Sequence, residues 1–445
     1  MTTTPDVVDG ELPADARPDA LPVDEPLGRN RDFLTLLISQ TVSVAGDAVS
    51  ETALPLLVFA LTGSGLVMGI VRTVNTLADF VFGTIAGAYA DRGDRKRMML
   101  LADLGRAALT ALVPITVAVG GPTMAVILLV TGPMAILRGF FRAGYLAAMP
   151  NLVGRSQLAR GNGILETAYS AAFIIGPAVA GLLVTVIGPG ETLVLDAVSY
   201  AISSIGLLLI RRELKAPADR PPSRIVDDIR EGVVYVVRHP VLRMLILLFA
   251  TTSAVLTPVS AAMTFRIVRD LGASPAAFGL ALTGLGVGTM IGALWAARLG
   301  PATRVARVLV GAVFLIGAPL IAAAAIPSLP AIVVLTAVSG TGEAALTVVY
   351  ISVRATNSPD ALLGRIASTA RVMALGLMPF GALIGGILID GVGGTATLAI
   401  LGVALCVLAV LFSRVSALRA ASLKPITPPA SAGATGLAIA EYVER

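Results

Sequence analysis

"GAYADRGDRKRMML", Gly87 to Leu100, places six charged side chains between Asp91 and Arg97, while the stretches on either side, 65–90 and 98–119, carry very few. What such a cluster means is decided by those flanks. A bilayer core of about 30 Å takes roughly 20 apolar residues at about 1.5 Å of helical rise each, so each flank is long enough for one crossing. The cluster is then a short loop at a membrane surface, between two antiparallel helices.

The pattern recurs along the chain. Of 445 residues, 56% are hydrophobic and 14% charged, and the mean hydropathy of +0.87 lies outside the range of soluble domains. Runs of sufficient length fall at 33–61, 65–90, 98–119, 122–148, 161–187, 191–210, 241–266, 275–297, 305–325, 330–353, 363–389 and 395–413. The expected fold is an all-α membrane protein of twelve transmembrane helices; a β-barrel would show short alternating strands instead. The single cysteine, Cys406, and single histidine, His239, leave no Cys/His metal site, Cys–His nucleophile pair or intrachain disulfide to build. No metal and no cofactor is expected.

A pI near 9.6 raises nucleic-acid binding as a possibility, and the positions of the charges test it. The turns "TGSG", "GGP", "GPGE", "PSLP" and "DGVGG" hold no Lys or Arg, and the turn after the seventh span holds only Arg269, with Arg266 just before it. Arg29, Arg31, the 92–97 cluster, Arg155, Arg160, the 211–243 segment, Arg298 to Arg307, Arg354, Arg365 and the 414–424 stretch all fall on the other side. By the positive-inside rule both termini are cytoplasmic, in a cell membrane, and no nucleic-acid partner is needed. Residues 1–28, with seven acids, five prolines and one arginine, read as a disordered cytoplasmic tail. That tail has neither the basic start nor the apolar core of a signal peptide, so the first span is expected to persist. Residues 415–445 form a second cytoplasmic tail.

The break after the sixth span divides the chain into bundles at 29–210 and 241–414, joined by a linker at 211–240. Within the linker, Ile225, Ile229, Val233 and Val236 share one helical stripe, which suits an amphipathic helix on the inner membrane surface. A weak repeat supports two pseudo-symmetric six-helix halves: Pro177 and Pro379 lie 202 residues apart in similar stretches, and Gly83 and Gly87 align with Gly288 and Gly292. Halves of this kind place a substrate site between them near mid-membrane.

An ionisable side chain inside a span costs several kcal/mol unless it is paired or faces water. Asp47 lies about 24 Å along the first span, with Glu51 one turn on, and Asp79 is near mid-depth with Arg72 two turns outward. Glu343 is also near mid-depth, between Gly340 and Gly342 and the remainder of its span. Glu166 and the lone cation Arg371 lie nearer the inner side. Each of Asp47, Glu51, Asp79, Glu343, Glu166 and Arg371 is a candidate for proton exchange, for balancing a substrate charge, or for a structural ion pair. Asp103, Arg106, Arg138 and Arg142 form an inner-half group whose simplest role is mutual neutralisation between neighbouring spans.

Gly87, Asp91, Arg92, Arg95 and Lys96 match Gly-x-x-x-Asp-Arg-x-x-Arg-Lys, and with the span count and central break the chain resembles the major facilitator superfamily from about residue 30 to 414. In the fifth span Gly176, Pro177 and Gly181 resemble the superfamily's antiporter motif. "GDAVSETALPLLVFALTGSG", "LLADLGRA" and "IREGVVYVVRHPVLRMLILL" look like its macrolide-efflux and enterobactin-exporter branch. The resemblance implies a secondary active transporter working by alternating access. It would export amphipathic small molecules such as antibiotics, xenobiotics or siderophore-like metabolites in exchange for protons, as a monomer, with the proton gradient as its energy source. It also implies that the 87–96 loop is a gate holding the bundles together on the cytoplasmic side when the carrier faces outward. One departure is plain: Ala296 and Ala297 stand where a second-half copy of Asp91 and Arg92 would be. An uptake carrier or facilitator, and a membrane scaffold or receptor that transports nothing, remain the alternatives. Catalytic residues of a membrane enzyme would cluster at one interface, whereas these acids are scattered over several spans.

Overall fold

The computed structural model describes residues 26–91, 93–215, 225–301, 303–359, 362–419 and 421. Arg92, most of the acidic tail, the linker stretch 216–224 and residues 422–445 lie outside the described residues.

Six crossings come first: α1 Arg31–Thr62, α2 Gly65–Ala90, α3 Arg95–Ala118, α4 Thr123–Gly154, α5 Ser156–Ile187 and α6 Pro189–Leu209. A shorter helix follows, α7 Ile225–Arg238, and then α8 Pro240–Asp270, α9 Pro275–Ala296, α10 Val305–Ala325 and α11 Leu329–Thr356. The last long stretch, Leu363–Ser413, is 51 residues of helix interrupted at a single residue. At about 1.5 Å per residue it is more than twice the thickness of a bilayer core. Gly393, at φ 86° and ψ 166°, turns the chain back and divides it into α12 (363–392) and α13 (394–413). Gly154, at φ 72° and ψ 162°, does the same between α4 and α5. Side chains with a Cβ rarely adopt that backbone, so one glycine replaces each loop. Twelve crossings result among the described residues, and a four-residue helix, α14 Ser416–Arg419, follows them.

Polar residues at the helix starts satisfy the exposed first-turn N–H groups. Asn30 accepts from the Phe33 N–H (3.0 Å) and donates to the Leu152 carbonyl (2.8 Å). Asp94 accepts from the Arg97 N–H at 3.0 Å. In the 91–97 loop, Arg95 is buried and donates to the Ala90 carbonyl (3.1 Å) and to Asn151 Oδ1 (2.9 Å). Lys96 Nζ donates to the carbonyls of Leu208 (3.3 Å) and Ile210 (2.6 Å). Two of the loop's cations therefore close the C-terminal ends of α2 and α6, where a helix presents unpaired carbonyls and negative dipole ends.

We call the end of the molecule that holds this loop the basic face, and the other end the opposite face. Near the opposite face α8 widens into a π-helical turn, Phe265–Asp270. Its Arg266 is buried and donates to the carbonyls of Ala323 and Ile326, both at 3.3 Å, and to Thr395 Oγ1 at 3.2 Å. Asp270 accepts from the Thr395 N–H at 3.2 Å and so starts α13.

Helix α7 packs on the second half: a Cβ at Gly232 would collide with Thr369 Oγ1 and lie 2.7 Å from the Arg365 carbonyl, both on α12. Of its apolar stripe, Val236 is fully buried and Val233 is exposed. Within the second half, Gly284, Gly288 and Gly292 of α9 press against the backbone of α11 at Val333, Ala337 and Thr341. Small residues at four-residue spacing bring the two backbones together.

Candidate functional site

Between the two halves lies a cavity of about 920 Å³. Its closure is one-sided. Toward the opposite face, Gly65 and Gly69 of α2 abut Ile389, Gly386 and Ala382 of α12, and Thr73 donates to the Pro379 carbonyl at 3.1 Å. On the second seam, Gly181 of α5 meets Pro275, Ala276 and Gly279 of α9, and Thr185 Oγ1 accepts from the Ala276 N–H at 3.1 Å. Phe59 of α1 sets its ring edge-on to Phe265 of α8, centroids 4.9 Å apart. Toward the basic face, Gly83 and Gly87 of α2 and Gly364 of α12 have open space where a side chain would be. The halves meet at the opposite face and stand apart at the basic face.

The two walls differ in chemistry. The first half contributes Asp47, Glu51, Arg72, Asp79, Arg106, Arg138, Arg142, Glu166 and Asp196, and the second only Glu343 and Arg371 among charged residues. The rest of the second-half wall is largely apolar, with Leu256, Met263, Phe278, Leu282, Leu285, Ile316 and Met378.

The first-half charges form two networks. Arg106 is 3% exposed and donates to Asp47 Oδ1 (2.7 Å), Asp103 Oδ1 (3.2 Å) and the Tyr200 hydroxyl (2.8 Å), with its guanidinium 3.9 Å from the centre of the Tyr200 ring. Asp103 is fully buried, and Asp196, one turn before Tyr200 on α6, accepts from Ser50 Oγ. Asp103 Oδ2 and Arg106 Nε have no hydrogen-bond partner among the described residues, so one cation holds together a cluster that is not fully satisfied there. Asp47, 27% exposed, is the member of this network most open to the cavity, which Arg106, Asp196 and Tyr200 also line.

The second network is wetter. Glu51 lies 3.9 Å from Arg72 and 3.7 Å from Arg138, and Arg138 lies 3.4 Å from Asp79 while donating to Asn75 Oδ1 at 2.7 Å. Its members are between 28% and 48% exposed, so each pair is worth on the order of 1 kcal/mol or less. Glu166, Arg142, Arg371 and the Glu343 carboxyl form no hydrogen bond or ion pair among the described residues. Arg371 is nonetheless within electrostatic reach of Arg142, from the other half, and of Asp79.

A family model described as transmembrane secretion effector matches residues 25–432. The chain belongs to this family of the major facilitator superfamily. The multidrug efflux pump Tap of Mycobacterium tuberculosis is 31% identical over 404 residues, covering 88% of this chain and 94% of the relative. Macrolide efflux protein A of Streptococcus pyogenes is 24% identical over 398 residues, 88% of this chain and 98% of that one. Among solved structures, the nucleoside transporter NupG shares the fold with a TM-score of 0.69 at 14% identity, over 86% of this chain and 98% of its own. This transmembrane secretion effector is thus a membrane transporter and not an enzyme, with the lipid bilayer and a small substrate as its partners.

In the transporter, two of the antiporter-like residues sit where the halves meet, Pro177 against Gly279 and Gly181 against the start of α9, while Gly176 packs within the first half against Ala48 of α1. Asp91 is exposed just past the end of α2, its N–H donating to the Gly87 carbonyl at 3.1 Å. Of the four inner-half charges, Arg106 and Asp103 join Asp47 and Tyr200, Arg138 turns to α1 and α2, and Arg142 joins neither group. Arg72 reaches Glu51 and not Asp79, because a neighbouring helix is nearer than two turns along the same one. Asp196 and Tyr200 are site residues beyond the sequence candidates. The signal for them is an acid inside the apolar span "ETLVLDAVSYAISSIG" with a tyrosine one turn on.

Proposed function

We propose that this transporter exports amphipathic drugs or similar small molecules in exchange for protons, with Glu343 as the group that changes protonation state during the cycle. The relatives named as multidrug and macrolide efflux pumps support the direction and substrate class. Glu343 carries the coupling: it is the one cavity acid on the apolar second-half wall, and its carboxyl is unpaired among the described residues, whereas Asp47, Glu51 and Asp79 already hold arginines. A carboxyl group without a fixed counter-ion exchanges a proton for a substrate cation at the smallest rearrangement cost. The basic face is cytoplasmic by the positive-inside rule, so the open cavity faces the cytoplasm and loads from inside. The chain acts as a monomer and uses no cofactor beyond the proton gradient.

The test is uptake of a panel of amphipathic antibiotics and dyes into everted vesicles, with and without an uncoupler. Wild-type protein is expected to accumulate at least one compound in an uncoupler-sensitive way. Glu343→Gln is expected to lose that accumulation while keeping downhill exchange of the same compound. Normal accumulation by Glu343→Gln would overturn the proton assignment, and accumulation in intact cells in place of everted vesicles would overturn export.

A further inference from the structure

We propose that Asp390 is the gate of the opposite face, a second-half carboxylate that holds the first turn of α2 across the seam and releases it when the cavity opens to that side. This inference rests on the carrier reading above and adds a residue to it.

The geometry is that of a helix cap supplied from the other half. Ser64 caps its own helix, accepting from the Val67 N–H at 3.3 Å. Asp390, at the end of α12, takes what that leaves: Oδ2 accepts from Ser64 Oγ (2.7 Å) and the Leu66 N–H (3.1 Å), and Oδ1 accepts from the Gly65 N–H. First-turn N–H groups have no partner within their own helix, and the helix dipole favours an anion there. Gly65 is what allows the approach, since a Cβ there would run into the Ile389 side chain. Arg269, at the end of α8, is the cation within electrostatic reach of Asp390.

Pseudo-symmetry shows that this carboxylate is an added feature. At the 202-residue offset of the repeat Asp390 aligns with Gly188, which has no side chain, and the start of α9 is held on that seam by Thr185, whose hydroxyl accepts a single hydrogen bond from the Ala276 N–H. A neutral cap of one bond is weaker than a charged cap of three. The α2/α12 seam also has the shape of a pivoting joint: it is closed from Gly65 past Thr73, and at Gly83, Gly87 and Gly364 it is open. Rocking that closes the basic face must lift the start of α2 away from α12. The Asp390 contacts lie at the end that moves farthest, and all of them break together.

The experiment reads the gate directly. In a Cys406→Ser background, cysteines replace Leu61 and Val392, which lie near the opposite face in the first and second halves and are 45% and 52% exposed. Spin labels there report distance distributions in proteoliposomes. Asp390→Asn keeps the size of the side chain and removes its charge; it is expected to raise the long-distance fraction roughly three- to tenfold relative to the short one. Ser64→Ala is expected to shift the same ratio in the same direction by less. The double variant should fall short of the product of the two, because both remove one contact. A distribution unchanged by Asp390→Asn overturns the gate, and if that variant does not insert, an unchanged distribution in Ser64→Ala does so. Transport by the same proteins separates the two ideas: an unshifted distribution in a working exporter overturns the gate alone, and a shifted one in a protein that moves no substrate overturns the exporter and leaves the gate.

Discussion

Replacing Arg106 with methionine is expected to destabilise the folded protein by about 3–5 kcal/mol, the usual cost of removing one partner from a buried ion cluster. Asp103 is fully exposed to the consequence, since it has no solvent access and already carries one oxygen without a partner among the described residues. Asp47 and the Tyr200 hydroxyl lose the same guanidinium. Asp47 can rehydrate through the cavity, but Asp103 cannot. Thermal unfolding in detergent measures the loss, and adding Asp103→Asn to Arg106→Met is expected to recover much of it. A melting temperature unchanged by Arg106→Met would show that the cluster does not hold α1, α3 and α6 together. Arg106→Lys is expected to fall between, because an ammonium keeps the charge but cannot reach three acceptors in fixed fork geometry.

The second large effect is expected at Gly288. Valine there would drive its Cβ into the carbonyl of Ala337, and main chain cannot step aside as a side-chain tip can. The helices α9 and α11 would have to separate, at the expense of the hydrogen bond from Thr341 Oγ1 to the Gly288 carbonyl (3.1 Å) and of the packing at Gly284 and Gly292. Overpacking against side chains costs about 1–3 kcal/mol, so a backbone clash belongs at or above about 3 kcal/mol. Gly83 is the control: it aligns with Gly288 in the repeat but faces open space, so Gly83→Val is expected to change stability by less than about 0.5 kcal/mol. Yield of monodisperse protein and its melting temperature read both variants, and equal tolerance at the two positions would refute the packing argument.

The spans were legible because bilayer thickness sets their length and loop charges set their order. Their ends were less so: the apolar runs leave polar gaps around Gly154 and Gly393, yet helix continues to a single glycine on each side. Candidate acids were also legible, since any charge in an apolar run stands out. Their partners were not. Glu51 to Arg138, Asp47 to Arg106 and Asp390 to Gly65 join residues far apart in sequence, and only helix packing makes them neighbours. Asp390 reads locally as part of a glycine-rich turn, "DGVGG", with nothing to announce a partner 325 residues away. Arg95 and Lys96 show the converse. Their motif marks them as gate residues, and the structure gives both of them fixed carbonyl partners within the first half.

The unequal walls of the cavity carry a consequence for how such a protein diversifies. In the first half most of the charged wall residues are tied to another, Glu166 and Arg142 excepted, so a substitution at a tied position disturbs an ion pair or hydrogen bond and lowers stability. Leu282, Leu285, Ile316 and Met378 on the facing wall have no such ties. New compound preferences should therefore accumulate on the second-half side, where the shape of the surface is free to drift, while the first half is conserved as its electrostatic keel.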